Sequence, residues 1–190
     1  MTAFPGSLLL AYLIGSINFA ILLMKWAGKG DPRKAFSGNA GVINVFRSTG
    51  WRWAGLILLL DMGRAMLVAW IGLSLLPLPM VSWSGFALVL GNCFPCFHGF
   101  RGGKGVAAYL GFSILLSPWA AFLAALLWVA VFRGVRIPFV ASFGMVSILA
   151  AGILVRCGWS AWSLAATLAT IALIVLRHRA NISASIAKSR

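Results

Sequence analysis

Residues 94–107 read Phe-Pro-Cys-Phe-His-Gly-Phe-Arg-Gly-Gly-Lys-Gly-Val-Ala, a basic turn between two apolar runs. Gly102, Gly103 and Gly105 free the backbone to turn its N–H groups toward one point, and Arg101 and Lys104 bring positive charge to it. The natural occupant is an anion. A second cluster, Ser37-Gly38-Asn39-Ala40-Gly41-Val42-Ile43-Asn44-Val45-Phe46-Arg47, sets a hydroxyl, amides and a guanidinium among small and apolar residues. Ser37, Asn39 and Asn44 can hydrogen-bond hydroxyl or phosphoryl oxygens, Gly38 and Gly41 permit close backbone approach, and Arg47 carries a planar fork that grips phosphate. A third cluster, Arg177-His178-Arg179-Ala180-Asn181, pairs an imidazole able to accept or orient a hydroxyl proton with an amide able to hold a polyol.

Each of these residue types also has a plainer use. Lys104 and Arg101 would serve as anchors on the basic side of a membrane, but anchors do not require the surrounding glycines. Ser37, Asn39 and Asn44 are ordinary cap and turn residues, and only their regular placement before Arg47 favours binding. Arg-His-Arg is equally a stop-transfer anchor against lipid headgroups. Ser142, which follows Arg136 near the start of an apolar segment, is open to both a binding and a helix-interface reading. His98 reads as an interfacial residue.

The elements that must hold these clusters are membrane spans. Of 190 residues, 62% are apolar and only 9% are charged, a profile of integral membrane proteins. Sixteen Lys and Arg stand against two acids, Asp31 and Asp61. A net charge of +14 on so apolar a chain reads as membrane topology and anion binding, with no nucleic-acid partner. Apolar runs at 5–24, 53–76, 81–97, 106–116, 119–132, 137–155 and 161–176 predict seven helices in one membrane domain spanning 1–190. The first lacks a basic leader region and is long enough to stay as a span. The fourth and fifth fall short of the roughly 20 residues a perpendicular span needs, so one long helix kinked at Pro118 is the alternative.

Charge decides between the two. With seven crossings, six basic residues at 25–52, two at 98–105, two at 133–136 and four in the tail at 177–190 share one side, and only Arg156 faces the other. Fusing the short pair would send the later groups across, against the positive-inside rule. The expectation is an all-α integral membrane protein of about seven short transmembrane helices, N-terminus outside and C-terminus cytoplasmic, with every polar cluster on the cytoplasmic face. Asp61 and Arg64, spaced i,i+3 inside the second span, should pair and orient the inner wall of the site.

Three motifs in this order carry a resemblance: Ser-Gly-Asn-x-Gly-x-x-Asn-x-x-Arg at 37–47, Phe-Pro-x-Phe-x-x-Phe-x-Gly-Gly-Lys-Gly-Val-Ala at 94–107, and Arg-His-Arg-x-Asn-Ile at 177–182. Together with Gly15-Ser16 and Leu60-Asp61, they are similar to the bacterial acyl-phosphate-dependent glycerol-3-phosphate acyltransferases of the PlsY type, over nearly the whole chain. The resemblance implies a multi-pass enzyme of the bacterial inner membrane. It would transfer a fatty acyl group from acyl phosphate to the 1-hydroxyl of glycerol 3-phosphate, giving lysophosphatidate and phosphate, the first step of phospholipid synthesis. Lys104, His178 and Arg47 would be catalytic. Ser37, Gly38, Asn39, Asn44, Gly102, Gly103, Gly105, Ser142 and Asn181 would bind substrate. An upstream enzyme that makes acyl phosphate is the further partner this chemistry calls for, beside the membrane lipids.

The residues suit that reaction. Both substrates carry phosphate, so two anion sites must lie close together, and an acyl phosphate is activated enough that positioning and charge stabilisation suffice. Neither His98 nor His178 is followed five residues later by Asp, the pattern that the thioester-using glycerolipid acyltransferases resemble. No carboxylate cluster suggests a catalytic metal and no motif suggests a cofactor; Cys93, Cys96 and Cys157 read as free thiols in apolar surroundings. The chain departs from the family's pattern at Asn92, where His is usual, at Phe139 for a serine, and at Ile43 and Ala180, where Thr and Glu are common. Two other classes are compatible with the clusters: a small anion transporter, and a catalytically divergent lipid-binding paralogue.

Overall fold

A computed structural model describes residues 3–188, and among them there are nine α-helices and no strand. In chain order they are α1 (Ala3–Ser16), α2 (Phe19–Trp26), α3 (Val42–Thr49), α4 (Trp51–Leu75), α5 (Leu78–Cys93), α6 (Val106–Leu116), α7 (Pro118–Val135), α8 (Pro138–Cys157) and α9 (Ala161–Lys188). Six segments are long and apolar enough to cross a membrane: Ala3–Trp26, Trp51–Leu75, Leu78–His98, Pro118–Val135, Pro138–Cys157 and Ala161–Ala187. The chain is a multi-pass integral membrane protein.

Sequence and structure differ at four places. The first span breaks at Ile17–Asn18, where Asn18 caps α2 by accepting from the Ile21 N–H at 3.1 Å. The fifth span is 18 residues long, so only α6, with 11, is short. Residues 42–49, expected in a loop, form α3, whose Val45 is buried while Phe46 is exposed. The last helix runs through the expected tail to Lys188, because nothing between Arg177 and Lys188 breaks helix and Arg177 and His178 have acceptors that hold them in place.

The short α6 is explained by its neighbours. Eleven residues rise about 16 Å, half of a hydrocarbon core of about 30 Å. The segment 94–105 that precedes it is held by protein groups that satisfy its backbone. Gly102 N–H donates to Cys93 O at 3.2 Å, Gly103 N–H to Asn92 O at 2.9 Å, and Tyr12 OH to Phe94 O at 2.9 Å. Ser117 is non-helical at φ −146° and ψ 76°, and Pro118 opens α7, so α6 and α7 are separate helices. Helices α1 and α5 approach at two glycines: a Cβ on Gly15 would lie 2.3 Å from Leu88 O, and one on Gly91 2.2 Å from Tyr12 O.

One end of the bundle collects four stretches: the loop before α3, the glycine turn, the start of α8 and the later part of α9. The loop before α3 is tied to the glycine turn by Arg33, whose guanidinium donates to His98 O at 2.7 Å and Arg101 O at 3.1 Å while paired with Asp31 at 2.7 Å. Asn18 donates to Ala40 O at 3.3 Å, and Arg177 donates to Gly103 O at 3.3 Å. The start of α8 meets the same end through Ser142. The opposite end joins α4 to α5, α6 to α7 and α8 to α9, and there Phe4 packs edge-on against Trp162 at 6.1 Å.

Candidate active site

A cavity of about 410 Å³ opens at the end where the four stretches converge. The loop before α3 and α3 itself contribute Ser37, Asn39, Asn44 and Arg47 to its wall; the turn and the start of α6 contribute Gly103, Lys104 and Gly105; α8 contributes Ser142 and α9 contributes His178 and Asn181. Ten of the twelve residues singled out from sequence therefore share one lining. Gly38 and Gly102 do not: Gly38 holds a left-handed turn at φ 67°, and Gly102 is buried behind the cavity.

The glycines act differently from the N–H cradle the sequence suggests. The N–H groups of Gly102 and Gly103 point back to the end of α5 and are consumed there. What these positions require is the absence of a Cβ, which at Gly102 would fall 2.1 Å from Asn92 O and at Gly103 2.9 Å from Ala40 O. Gly105 adopts φ 82° at the head of α6, which carries no side-chain cap. The backbone N–H groups left without intrahelical acceptors at this wall are instead those of the first turn of α6, where Val106 and Ala107 line the cavity and the helix dipole has its positive end. Arg101 is exposed and outside the lining, its carbonyl held by Arg33.

Lys104 is half-buried and donates to Asn181 Oδ1. Burial, and then the neighbouring Arg177 and Arg47 cations, push its ammonium down from 10.5 to about 8. Arg47 lies exposed at the rim, and no hydrogen bond or ion pair among the described residues engages its guanidinium. His178 is buried, with Nδ1 2.8 Å from Ile174 O. A carbonyl can only accept, so Nδ1 carries the proton and Nε2 is left as an acceptor. Phe143 packs edge-on against the ring at 5.3 Å. Ser142 Oγ donates to Pro138 O at 2.9 Å and accepts from Trp128 Nε1 at 3.2 Å.

Asn44 is buried and fully occupied inside its own loop. Its Nδ2 donates to the carbonyls of Pro32, Ala35 and Asn39 at 2.6, 3.1 and 2.9 Å, and its Oδ1 accepts from Ser37 N–H and Oγ, both at 3.1 Å. It therefore shapes the loop that presents Ser37, while Asn39 donates to Ser37 O at 2.7 Å. The apolar part of the lining comes from Leu58 of α4, Leu110 of α6, Val129 of α7 and Phe139 and Met145 of α8.

A family model described as glycerol-3-phosphate acyltransferase matches residues 6–188. The chain belongs to that family. Its relatives include the glycerol-3-phosphate acyltransferases of Pseudomonas paraeruginosa, 40% identical over 179 residues covering 92% of this chain and 91% of the relative, and of Jannaschia sp., 40% identical over 184 residues covering 92% and 85%. The fold matches the crystal structure of PlsY (YgiH), an integral membrane glycerol 3-phosphate acyltransferase, in its glycerol 3-phosphate form. The TM-score is 0.88 at 32% identity, covering 98% of this chain and 93% of the other. The lysophosphatidic acid form of PlsY matches with a TM-score of 0.85. This member of the acyltransferase family thus carries its polar lining on the loop before α3, on α3, on the glycine turn and on α8 and α9.

The expected Asp61–Arg64 pair is present at 2.9 Å, whereas sequence reasoning missed Arg33, Arg177, Trp128 and Asn92 as participants. Asn92 was visible only as a departure from the family's pattern. The rest act through carbonyls or hydroxyls remote in sequence, and no spacing rule announces those.

Proposed function

We propose that this chain transfers a fatty acyl group from acyl phosphate to the 1-hydroxyl of glycerol 3-phosphate, releasing lysophosphatidate and inorganic phosphate. The site would face the cytoplasm across a bacterial inner membrane, with the N-terminus outside and the C-terminus inside. The observation that carries this reading is one cavity lined by two cationic side chains, Arg47 and Lys104, and by apolar residues from α4, α6, α7 and α8. Two phosphates and one acyl chain need that combination, whereas a transporter of small anions has no use for the apolar residues.

In the reaction the 1-hydroxyl oxygen of glycerol 3-phosphate attacks the acyl carbonyl carbon, and the bond from that carbon to the phosphate oxygen breaks with its electron pair leaving on phosphate. The hydroxyl proton passes to an acceptor, and the unprotonated His178 Nε2 is the neutral acceptor in the lining. Lys104 and the first turn of α6 offset charge on the phosphoryl oxygens, and Asn181, held by Lys104, orients the polyol. The positive-inside distribution of Lys and Arg supports the orientation.

The test supplies purified protein with long-chain acyl phosphate and glycerol 3-phosphate, an acyl thioester serving as control donor, and measures lysophosphatidate. Product from acyl phosphate alone is expected. Absence of product from either donor overturns the reading, and phosphate flux in sealed vesicles without acyl transfer would identify a transporter.

A further inference from the structure

Asn92 lies near the end of α5, is buried, and lines the cavity between the glycine turn and Asp61. Its side-chain oxygen accepts from the Arg64 guanidinium at 2.5 Å. Because Arg64 can only donate, the amide has one orientation, Oδ1 toward Arg64 and Nδ2 away from it. Nδ2 lies against Gly103, where a Cβ would be 2.9 Å away, and no hydrogen bond among the described residues engages it. Arg64 itself cannot drift: Asp61 pairs with it at 2.9 Å, and it donates to the carbonyls of Gly15, at 2.8 Å, and Ile17, where α1 ends. Arg64 thus joins Asp61 and Asn92, which both line the cavity, from behind its wall.

We infer that the Asn92 amide is a substrate-binding donor, presenting two N–H groups to an anionic oxygen of the bound substrates, and that Arg64 is the positioning residue that fixes its orientation. This deepens the acyltransferase reading and rests on it. The anionic oxygen belongs either to a phosphoryl group or to the acyl carbonyl as negative charge develops on it. A neutral donor suits this wall, because the Asp61 carboxylate is close enough that a second fixed charge would be drawn into the ion pair instead of toward the substrate.

The test is steady-state kinetics with acyl phosphate and glycerol 3-phosphate varied in turn, on the wild-type chain and on Asn92→Ala and Asn92→Asp. Asn92→Asp keeps an oxygen toward Arg64 and removes both donors; Asn92→Ala removes the group without adding charge. Each should lower turnover efficiency by about tenfold to a hundredfold, the range for one lost donor to a charged oxygen. A rise in KM for glycerol 3-phosphate alone assigns the contact to its phosphate, a rise in KM for the donor assigns it to the acyl phosphate, and a fall in kcat with both KM values unchanged assigns it to the acyl oxyanion. Arg64→Lys should lower efficiency in the wild-type background and add nothing in the Asn92→Ala background, a non-additivity that loss of packing would not produce. Thermal melting in detergent identifies variants that fold. Folded Ala and Asp variants within twofold of wild type in every constant overturn the inference while leaving the parent reading intact. A wild-type chain that transfers no acyl group overturns both.

Discussion

Raising the pH from 7 to 9 should discharge Lys104 and, with it, the grip on phosphate. Burial opposes its charged form first, and the Arg177 and Arg47 cations oppose it further, so that the ammonium titrates at about 8 instead of 10.5. With that midpoint, the protonated fraction falls from about nine-tenths at pH 7 to about one-tenth at pH 9. The substrate phosphate, with a second pKa of about 6, does not change charge over the same interval. Efficiency toward glycerol 3-phosphate, which reports the free enzyme, should therefore drop about tenfold between pH 7 and pH 9. Turnover at saturation should hold further into alkali, because bound phosphate returns the favourable charge that the empty site lacks. The assay follows lysophosphatidate against pH, corrected for spontaneous hydrolysis of the donor. Lys104→Arg moves the titration beyond reach, so whatever activity it keeps should be flat over that interval. An efficiency that stays level to pH 9 in the wild type, or an alkaline limb that persists unchanged in Lys104→Arg, would refute the argument. The same physics gives a sign for stability: folding favours the neutral form, so the site holds Lys104 against its preference at pH 7, and Lys104→Gln should melt no lower than wild type while losing most turnover.

Three further outcomes follow from the geometry. Asn44→Ala leaves three backbone carbonyls and the Ser37 donors without their partner, which should cost about 3 kcal/mol and lower the melting temperature as well as activity. Gly102→Ala places a Cβ 2.1 Å from Asn92 O and 2.6 Å from Pro95 Cδ, so the turn must shift; most turnover should be lost in a protein that still inserts and melts cooperatively. Trp128→Phe removes the 3.2 Å donor to Ser142 but keeps the ring, and should change kinetics by less than about fivefold with melting unaffected, since one neutral hydrogen bond contributes about 1 kcal/mol.

Much of the architecture was legible from one dimension. Long apolar runs and the one-sided placement of Lys and Arg follow from the cost of putting polar groups into hydrocarbon, a constraint that acts on each segment by itself. The clusters at 37–47, 94–107 and 177–182 were legible because glycines, amides and cations at short spacing have few uses inside so apolar a chain. Those local properties settled the helical class, the approximate spans, and the residues to examine.

Partnership was decided only in three dimensions. The sequence offers Gly102 and Gly103 as N–H donors to an anion, but the end of α5 takes those donors, and the glycines are needed because Asn92 and Ala40 leave no room for a Cβ. Asn44 looks like a substrate ligand, yet its amide is consumed by carbonyls five to twelve residues away. Arg64 and Asn92, 28 residues apart, meet because α4 and α5 pack side by side, and Arg177 reaches Gly103 across 74 residues. Hydrogen bonds are short-ranged and directional, so which donor meets which acceptor depends on the packing of whole helices, and spacing along the chain carries little of that information.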